Sequence, residues 1–392
     1  MPQSEDLFSY AEQRMNQRFL AGEREEAALI EQVAKTVIVD RLVPPHMMSF
    51  ATDYETGLVD LRYGSIRDDG HNHYVTLHPH AFRQLCEKVS FPAAYANHLR
   101  AGGSDEHLGA EKQWKQELLA HNLNALYHQP AWEERSGAPQ RFLHRIVGDE
   151  LRGFLSRRFA RHMASAPLLR AFVDACRHAG ARPISATSSP VRLQLQCLLP
   201  HVFEAYPQEC VCVGCALANS DFGAGRLTVK STIWRVSNGT SAVIDEAFSK
   251  VHVGSIIDES DLELSDSTAQ KEVIAQRGLI TDVVTQLLQE KTVNRLLQML
   301  RAAHDLQIPW SKLKGRLSAV LSKSDLTWMQ EAADTGAGIV DLPSISYTPE
   351  GERIPNAYWA AAALSAIAAK TEDADRKLDL QQEAGKLLST AA

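Results

Sequence analysis

The spacing of apolar positions changes several times along the chain, and each change marks an element. Residues 7–43 are rich in helix formers, with Phe19, Leu20, Ala27, Leu29, Ile30 and Val33 at mixed three- and four-residue intervals. This predicts one amphipathic helix, or two divided at Gly22. Over residues 47–77 the period shortens to alternation: Leu58, Val59, Leu61 and Tyr63, then Tyr74, Val75 and Leu77. The turn formers Asp68-Asp69-Gly70 lie between, so a hairpin is expected. Helical spacing returns with Phe82, Leu85, Cys86 and Val89 on one face, breaks at Phe91-Pro92 and resumes over 93–99. Two short helices about a tight turn suggest a helix-turn-helix. The second offers only Asn97, His98 and Arg100 beside Ala93, Ala94, Tyr95 and Leu99, so it reads as a packing corner and not as a base-reading helix.

A further helix is expected over 114–127 and strands over 141–147 and 151–156. The second strand puts Arg152, Phe154 and Ser156 on one face. Residues 167–178 make a helix with Leu168, Leu169, Phe172, Val173 and Cys176 inward. Strands resume at 191–198, where Arg192, Gln194 and Gln196 alternate with Val191, Leu193, Leu195 and Cys197. Another runs over 226–236, with Arg226, Thr228, Lys230, Thr232 and Trp234 on one face before the Asn238-Gly239 turn. An acidic stretch (Asp258, Glu259, Asp261, Glu263, Asp266) reads as a solvated linker; the sharper alternative folds it onto the arginine surface described below. One long amphipathic helix is expected over 269–306, two shorter ones about Ile308-Pro309, then helices over 356–370 and 374–388. The last reads as a surface or self-association helix. The expected fold class is α+β: a small antiparallel sheet domain with packed helices, followed by a helical C-terminal region. Its divisions are 1–45, 46–256, the linker 257–267, and 268–392.

At 392 residues, 44% hydrophobic and 23% charged, the chain has ordinary globular usage and length for two domains. The longest apolar run, residues 360–369, is too short and alanine-rich to span a bilayer. No leader segment is visible, so a cytoplasmic location is expected. Six cysteines fit a reducing compartment. Charge alters the picture more. The net charge is -7, yet residues 141–192 carry ten arginines against Asp149, Glu150 and Asp174, a local excess of seven. No lysine occurs between Lys115 and Lys230. Guanidinium is a flat fork of donors that grips phosphate with two bonds at once. Arg145, Arg152, Arg157, Arg158, Arg161, Arg192 and Lys230 are therefore candidate nucleic-acid contacts, with Phe154 and Trp234, and Phe159 nearby, to stack on bases.

Two clusters invite a metal. His71, His73, His78 and His80 surround one strand without a carboxylate or cysteine at ligand spacing, and read as a solvated strand edge. Cys210, Cys212 and Cys215 resemble half a zinc site, but buried thiols explain them as well. No metal or cofactor is expected.

Several stretches together resemble a known family. They are residues 77–99 with Phe91-Pro92 and Tyr95, the run Leu151-Arg152-Gly153-Phe154-Leu155-Ser156-Arg157-Arg158-Phe159, the Asn219-Ser220-Asp221-Phe222-Gly223 loop, residues 235–239, and His252-Val253-Gly254. In that order they are similar to domain of unknown function 932, carried by phages, prophages and plasmids, over residues 45–260. Ser237 stands where that family often has cysteine, and Arg161-His162 where an acidic residue is common. The resemblance implies a mobile-element origin and little about activity.

The leading expectation is a nucleic-acid-binding protein acting on single-stranded DNA in recombination or replication, with homo-oligomerisation possible and no membrane partner. One alternative is a phage or plasmid structural or assembly protein. The other is a metal-dependent enzyme on nucleotides or nucleic acid, using Asp221 with Glu246 or His252 with Asp245. No phosphate-binding loop, dinucleotide glycine set, nucleophile elbow or zinc motif is present to favour the last.

Overall fold

The computed structural model describes residues 4–52, 59–63, 73–100, 109–128, 141–157, 159, 164–206, 209–237, 239–244, 249–250, 266–335, 345–347 and 353–390. Helix α1 (Ser4–Lys35) leads to β1 (Val39–Val43), β2 (Met48–Thr52), β3 (Val59–Tyr63) and β4 (His73–Leu77). Helices α2 (Pro79–Lys88), α3 (Ala93–Arg100) and α4 (Gly109–Tyr127) follow, then β5 (Phe142–Val147) and β6 (Glu150–Ser156). These strands form one six-stranded sheet in the order β1-β5-β6-β4-β3-β2, antiparallel except where β4 runs parallel to β6. Alternation on β2 and β4 sends Met48, Phe50, Val75 and Leu77 into a core with Leu85, Leu119, Leu123 and Tyr127 of the helices, and a register shift at Arg152 lets both Leu151 and Phe154 of β6 join it. The turn at Asp68-Asp69-Gly70 lies outside the described residues.

After α5 (Ser165–His178) comes a second sheet, built from β7 (Arg182–Ser188), β8 (Leu193–Leu198), β9 (Phe203–Tyr206), β10 (Glu209–Asn219), β11 (Leu227–Arg235), β12 (Thr240–Ile244) and β13 (Ser249–Lys250). Its spine is β12-β11-β10-β8-β7, all antiparallel, with β9 on β10 and β13 on β11. The sequence led us to expect one small sheet over this region; there are two. The remainder is α6 (Asp266–Leu287), α7 (Glu290–Asp305), α8 (Trp310–Leu317), α9 (Lys323–Thr335), the ribbon β14 (Ile345–Tyr347) with β15 (Arg353–Pro355), α10 (Ala357–Lys370) and α11 (Ala374–Ser389).

Residue parity on β10 divides the helices between the faces of this sheet. Val211 and Val213 meet α7 and α10, and farther along the same face Cys215 and Leu217 meet α5 and α6. Cys210 and Cys212 face the other way, where Trp234 joins them against Ala11, Met15 and Phe19 of α1. Gln194 and Gln196 share that second face and are covered by α11, whose Gln381 carbonyl accepts from both amides at 2.9 and 3.0 Å. Thus α11, expected on the surface, buries Leu378, Leu380, Ala384, Leu387 and Leu388. Helix α10 is apolar all round because it is surrounded. Among the described residues no helix is long and apolar enough to cross a membrane.

Two expected boundaries move for packing reasons. Gly22 does not divide α1; it is where the helix touches β7, since a Cβ there would meet the Pro183 oxygen at 2.3 Å. The long helix expected over 269–306 breaks at Leu288 and Gln289 without proline or glycine. Ile280, Val284 and Leu287 belong to the α5 core and Val293, Leu296 and Leu300 to the α10 core. One straight helix cannot direct its apolar stripe into both.

Candidate nucleic-acid interface

The two sheets are joined by the loop after β10. Its conformation is set locally: Ser220 Oγ donates to the Val191 carbonyl at 2.7 Å and accepts from the amides of Phe222 and Ala224 at 3.1 and 2.8 Å. Gly223 has φ +75°, a conformation that favours glycine, and a Cβ there would also press on Leu155 Cδ2 at 2.6 Å. The loop is also held from outside. The Asp221 carboxylate accepts from the Ser165 amide at the start of α5 at 2.9 Å, and the Asn219 amide donates to Ser165 Oγ at 3.1 Å. Burial pushes the Asp221 carboxyl above the usual carboxylate range, against the hydrogen bonds from Ser165. From the first sheet, Arg145 Nη1 donates to the Asp221 carbonyl at 2.6 Å. From α2, Gln84 Nε2 donates to the Phe222 carbonyl at 3.0 Å, with His80 Nε2 3.1 Å away. Burial lowers His80 to about 4, so the ring is neutral at pH 7 and that carbonyl makes Nε2 the protonated nitrogen.

Three of the six arginines proposed from sequence are engaged elsewhere. Arg145 is buried, its Nε 3.1 Å from Asp40. Arg152 Nε lies 2.7 Å from Glu150, and Arg192 Nη1 lies 2.7 Å from Asp379 while its Nε donates to the Ala224 carbonyl at 2.7 Å. Farther along the same basic stretch, Arg177 pairs with Glu26 and Arg182 with Glu23. A charge count confined to 141–192 includes Glu150 but misses the other acids, which come from α1, the β1 strand and α11. The expected stacking residues need correction too. Phe154 is 1% exposed among Tyr127, Phe142 and His144, and Trp234 is 3% exposed against α1, so neither can offer a face to a base. Arg157 and Lys230 are half-buried, and Arg158 and Arg161 lie outside the described residues.

Two depressions flank the joining loop. The smaller, about 200 Å³, is lined by Arg152, Arg192, Ser165, Ser189, Asn219 and Asp221. The larger, about 370 Å³, is an open groove along Gly223–Ala224–Gly225, bounded by Phe159, Lys88, Glu87 and Arg226. Phe159 is half-buried, with the Arg145 guanidinium 5.1 Å from its ring centroid. Lys88 and Arg226 are exposed. Neither cation was singled out as a contact from sequence: Lys88 ends an ordinary amphipathic helix, and Arg226 is one charge after a glycine loop. Only the fold brings them together.

The candidate metal clusters disperse. Cys215 Sγ lies 3.6 Å from Cys176 on one face of the sheet, whereas Cys212 Sγ lies 3.5 Å from Met15 Sδ on the other, and all six thiols are buried. Burial pushes Cys210 up to about 11 and Cys212 to about 12, away from the thiolate that binds metal. His78 caps α2 by accepting from the His80 amide at 3.1 Å. His71 lies outside the described residues, as do Glu246, Asp245 and His252. Among the described residues no group of three or more His, Cys, Asp or Glu is placed to hold a metal ion. Comparison with family models, curated proteins and solved structures finds no match for this chain.

Proposed function

We propose that the protein binds single-stranded nucleic acid, DNA in the first instance, in the groove beside the joining loop. The observation that carries this is the placement of Phe159: an aromatic ring with a guanidinium close by, lining an open groove with an exposed cation from α2 and another from the start of β11. A base stacks on such a ring whatever its identity, while Lys88 and Arg226 meet neighbouring phosphates. The glycine-rich wall lets a backbone approach closely. Of the residues first proposed, Arg145 acts as a positioning group, its guanidinium lying over the Phe159 ring. A role for such a protein in recombination or replication belongs to the same proposal, as does the mobile-element origin that the family resemblance implies.

The test is anisotropy of a labelled oligothymidine with the full chain over a salt series. Phe159→Ala should weaken binding by about 1–3 kcal/mol, the usual value for one stacked base. Lys88→Gln and Arg226→Gln should each flatten the salt slope by about 0.7. Unchanged affinity in Phe159→Ala together with an unchanged slope would overturn the reading.

A second reading, a structural or assembly protein whose arginines bridge subunits, is weakened by Arg177, Arg182 and Arg192, which already pair with Glu26, Glu23 and Asp379 of the same chain. Molar mass in solution with and without the oligonucleotide separates the two readings.

A further inference from the structure

A second cleft, of about 500 Å³, opens away from the joining loop, between α1, the β11–β12 turn and the ends of α10 and α11. Its volume is in the range of small-molecule sites, about 300–1,000 Å³. Arg14, Arg18 and Lys377 line it, and no carboxylate does among the described residues. In a chain of net charge -7 that is a local reversal of sign. Arg14 is fixed in place without being neutralised: Nη1 donates to the carbonyls of Val236 and Ser237, each at 2.8 Å, and to the Tyr10 hydroxyl. Carbonyls orient a guanidinium but leave its full charge. Arg18 does pair with a carboxylate, Glu25 at 2.9 Å, which does not line the cleft. Lys377 is half-buried and makes no ion pair among the described residues. Gln381 adds a directed donor. Its carbonyl oxygen accepts from the Gln194 and Gln196 amides, and in this orientation Nε2 is left to donate. Thr240 supplies a hydroxyl on the turn.

The geometry points to a binding site for a phosphate-bearing ligand of nucleotide size, gripped by Arg14, Lys377 and Gln381. Preorganised, uncompensated cations beside neutral donors in a bounded cleft suit a small multivalent anion better than a protein carboxylate. The site is independent of the Phe159 groove and does not rest on the nucleic-acid reading. The phosphate could come from a free nucleotide or from a strand, and the probes distinguish these.

Titration calorimetry of the full chain would use inorganic pyrophosphate, thymidine 5′-monophosphate and an oligothymidine without a terminal phosphate. Saturable one-to-one binding of pyrophosphate is expected. Lys377→Gln should weaken it by about tenfold or more, as for loss of one charge-assisted bond, and Lys377→Glu should abolish it. Arg170→Gln, exposed on α5, should leave it unchanged. Arg14→Gln also removes an anchor of α1, so the decision rests on Lys377. Competition by the monophosphate assigns a free nucleotide; competition by the oligonucleotide alone assigns a strand. No saturable binding of any probe, or equal affinity in both Lys377 variants and the unaltered chain, overturns the site.

Discussion

Glu209 illustrates how much one residue can govern. It is 2% exposed, and its Oε1 accepts from Arg235 Nε at 2.8 Å, the Tyr358 hydroxyl at 2.9 Å and Ser237 Oγ at 3.3 Å. Arg235 is itself buried, its Cζ 4.6 Å from the Tyr358 ring centroid. Nη1 and Nη2 have no hydrogen-bond partner, so this carboxylate carries the compensation of the charge. Glu209→Ala therefore strands a buried cation and should cost about 3–5 kcal/mol, read from the urea midpoint. Nothing local marks Glu209 for this role: it precedes a strand of valines and cysteines and looks like any acidic residue at a turn.

At the scale of elements, the contacts that set the architecture are close approaches of helix to strand. Gly22 of α1 rests on β7, and Gly385 of α11 rests on β12, where a Cβ would meet the Val243 oxygen at 1.8 Å. In an exposed helix Gly→Ala stabilises by up to about 1 kcal/mol through propensity. Here the sign reverses, because backbone blocks the new carbon. Gly22→Ala and Gly385→Ala should each destabilise, by about 1–3 kcal/mol, while Gly278→Ala in α6 and Gly315→Ala in α8, which have nothing within 4 Å, should stabilise. Thermal midpoints of the four variants test this. Helix periodicity was legible in the residues, as at α2 and α5. Where α1 continues and where α6 ends was not, because those boundaries depend on which core each turn faces.

Across the whole molecule, pH acts on the joint between the sheets. His80 is held at about 4 and His144 at about 3, each mainly by burial, against 6.5 for an ordinary histidine. Because the folded values lie below the unfolded one, this stability is fully present above pH 6.5, starts to fall as the pH drops below 6.5, and is lost by about pH 4 for His80 and about pH 3 for His144. Asp221 and Glu26, raised by burial, act in the opposite sense at the lower end. Between pH 7.5 and 5.5 the histidines dominate, and stability should drop by on the order of 1 kcal/mol for each. Urea midpoints at the two values check the drop, and His80→Gln should remove its share.

Composition and periodicity determined an α+β chain with apolar helices toward its end, because alternation and three-to-four spacing are local and are written wherever one face must be buried. The Asn219-Ser220-Asp221-Phe222-Gly223 loop stood out through the family resemblance, not through composition or periodicity. The tertiary structure alone decided that Phe154 and Trp234 are core residues, that Arg145 and Arg192 have acidic partners, and that Lys88, Phe159 and Arg226 share a groove. Burial and charge compensation depend on neighbours distant in the chain: Asp40 for Arg145, Asp379 for Arg192 and α1 for Trp234. Counting charges within one stretch cannot register a partner supplied from its other end.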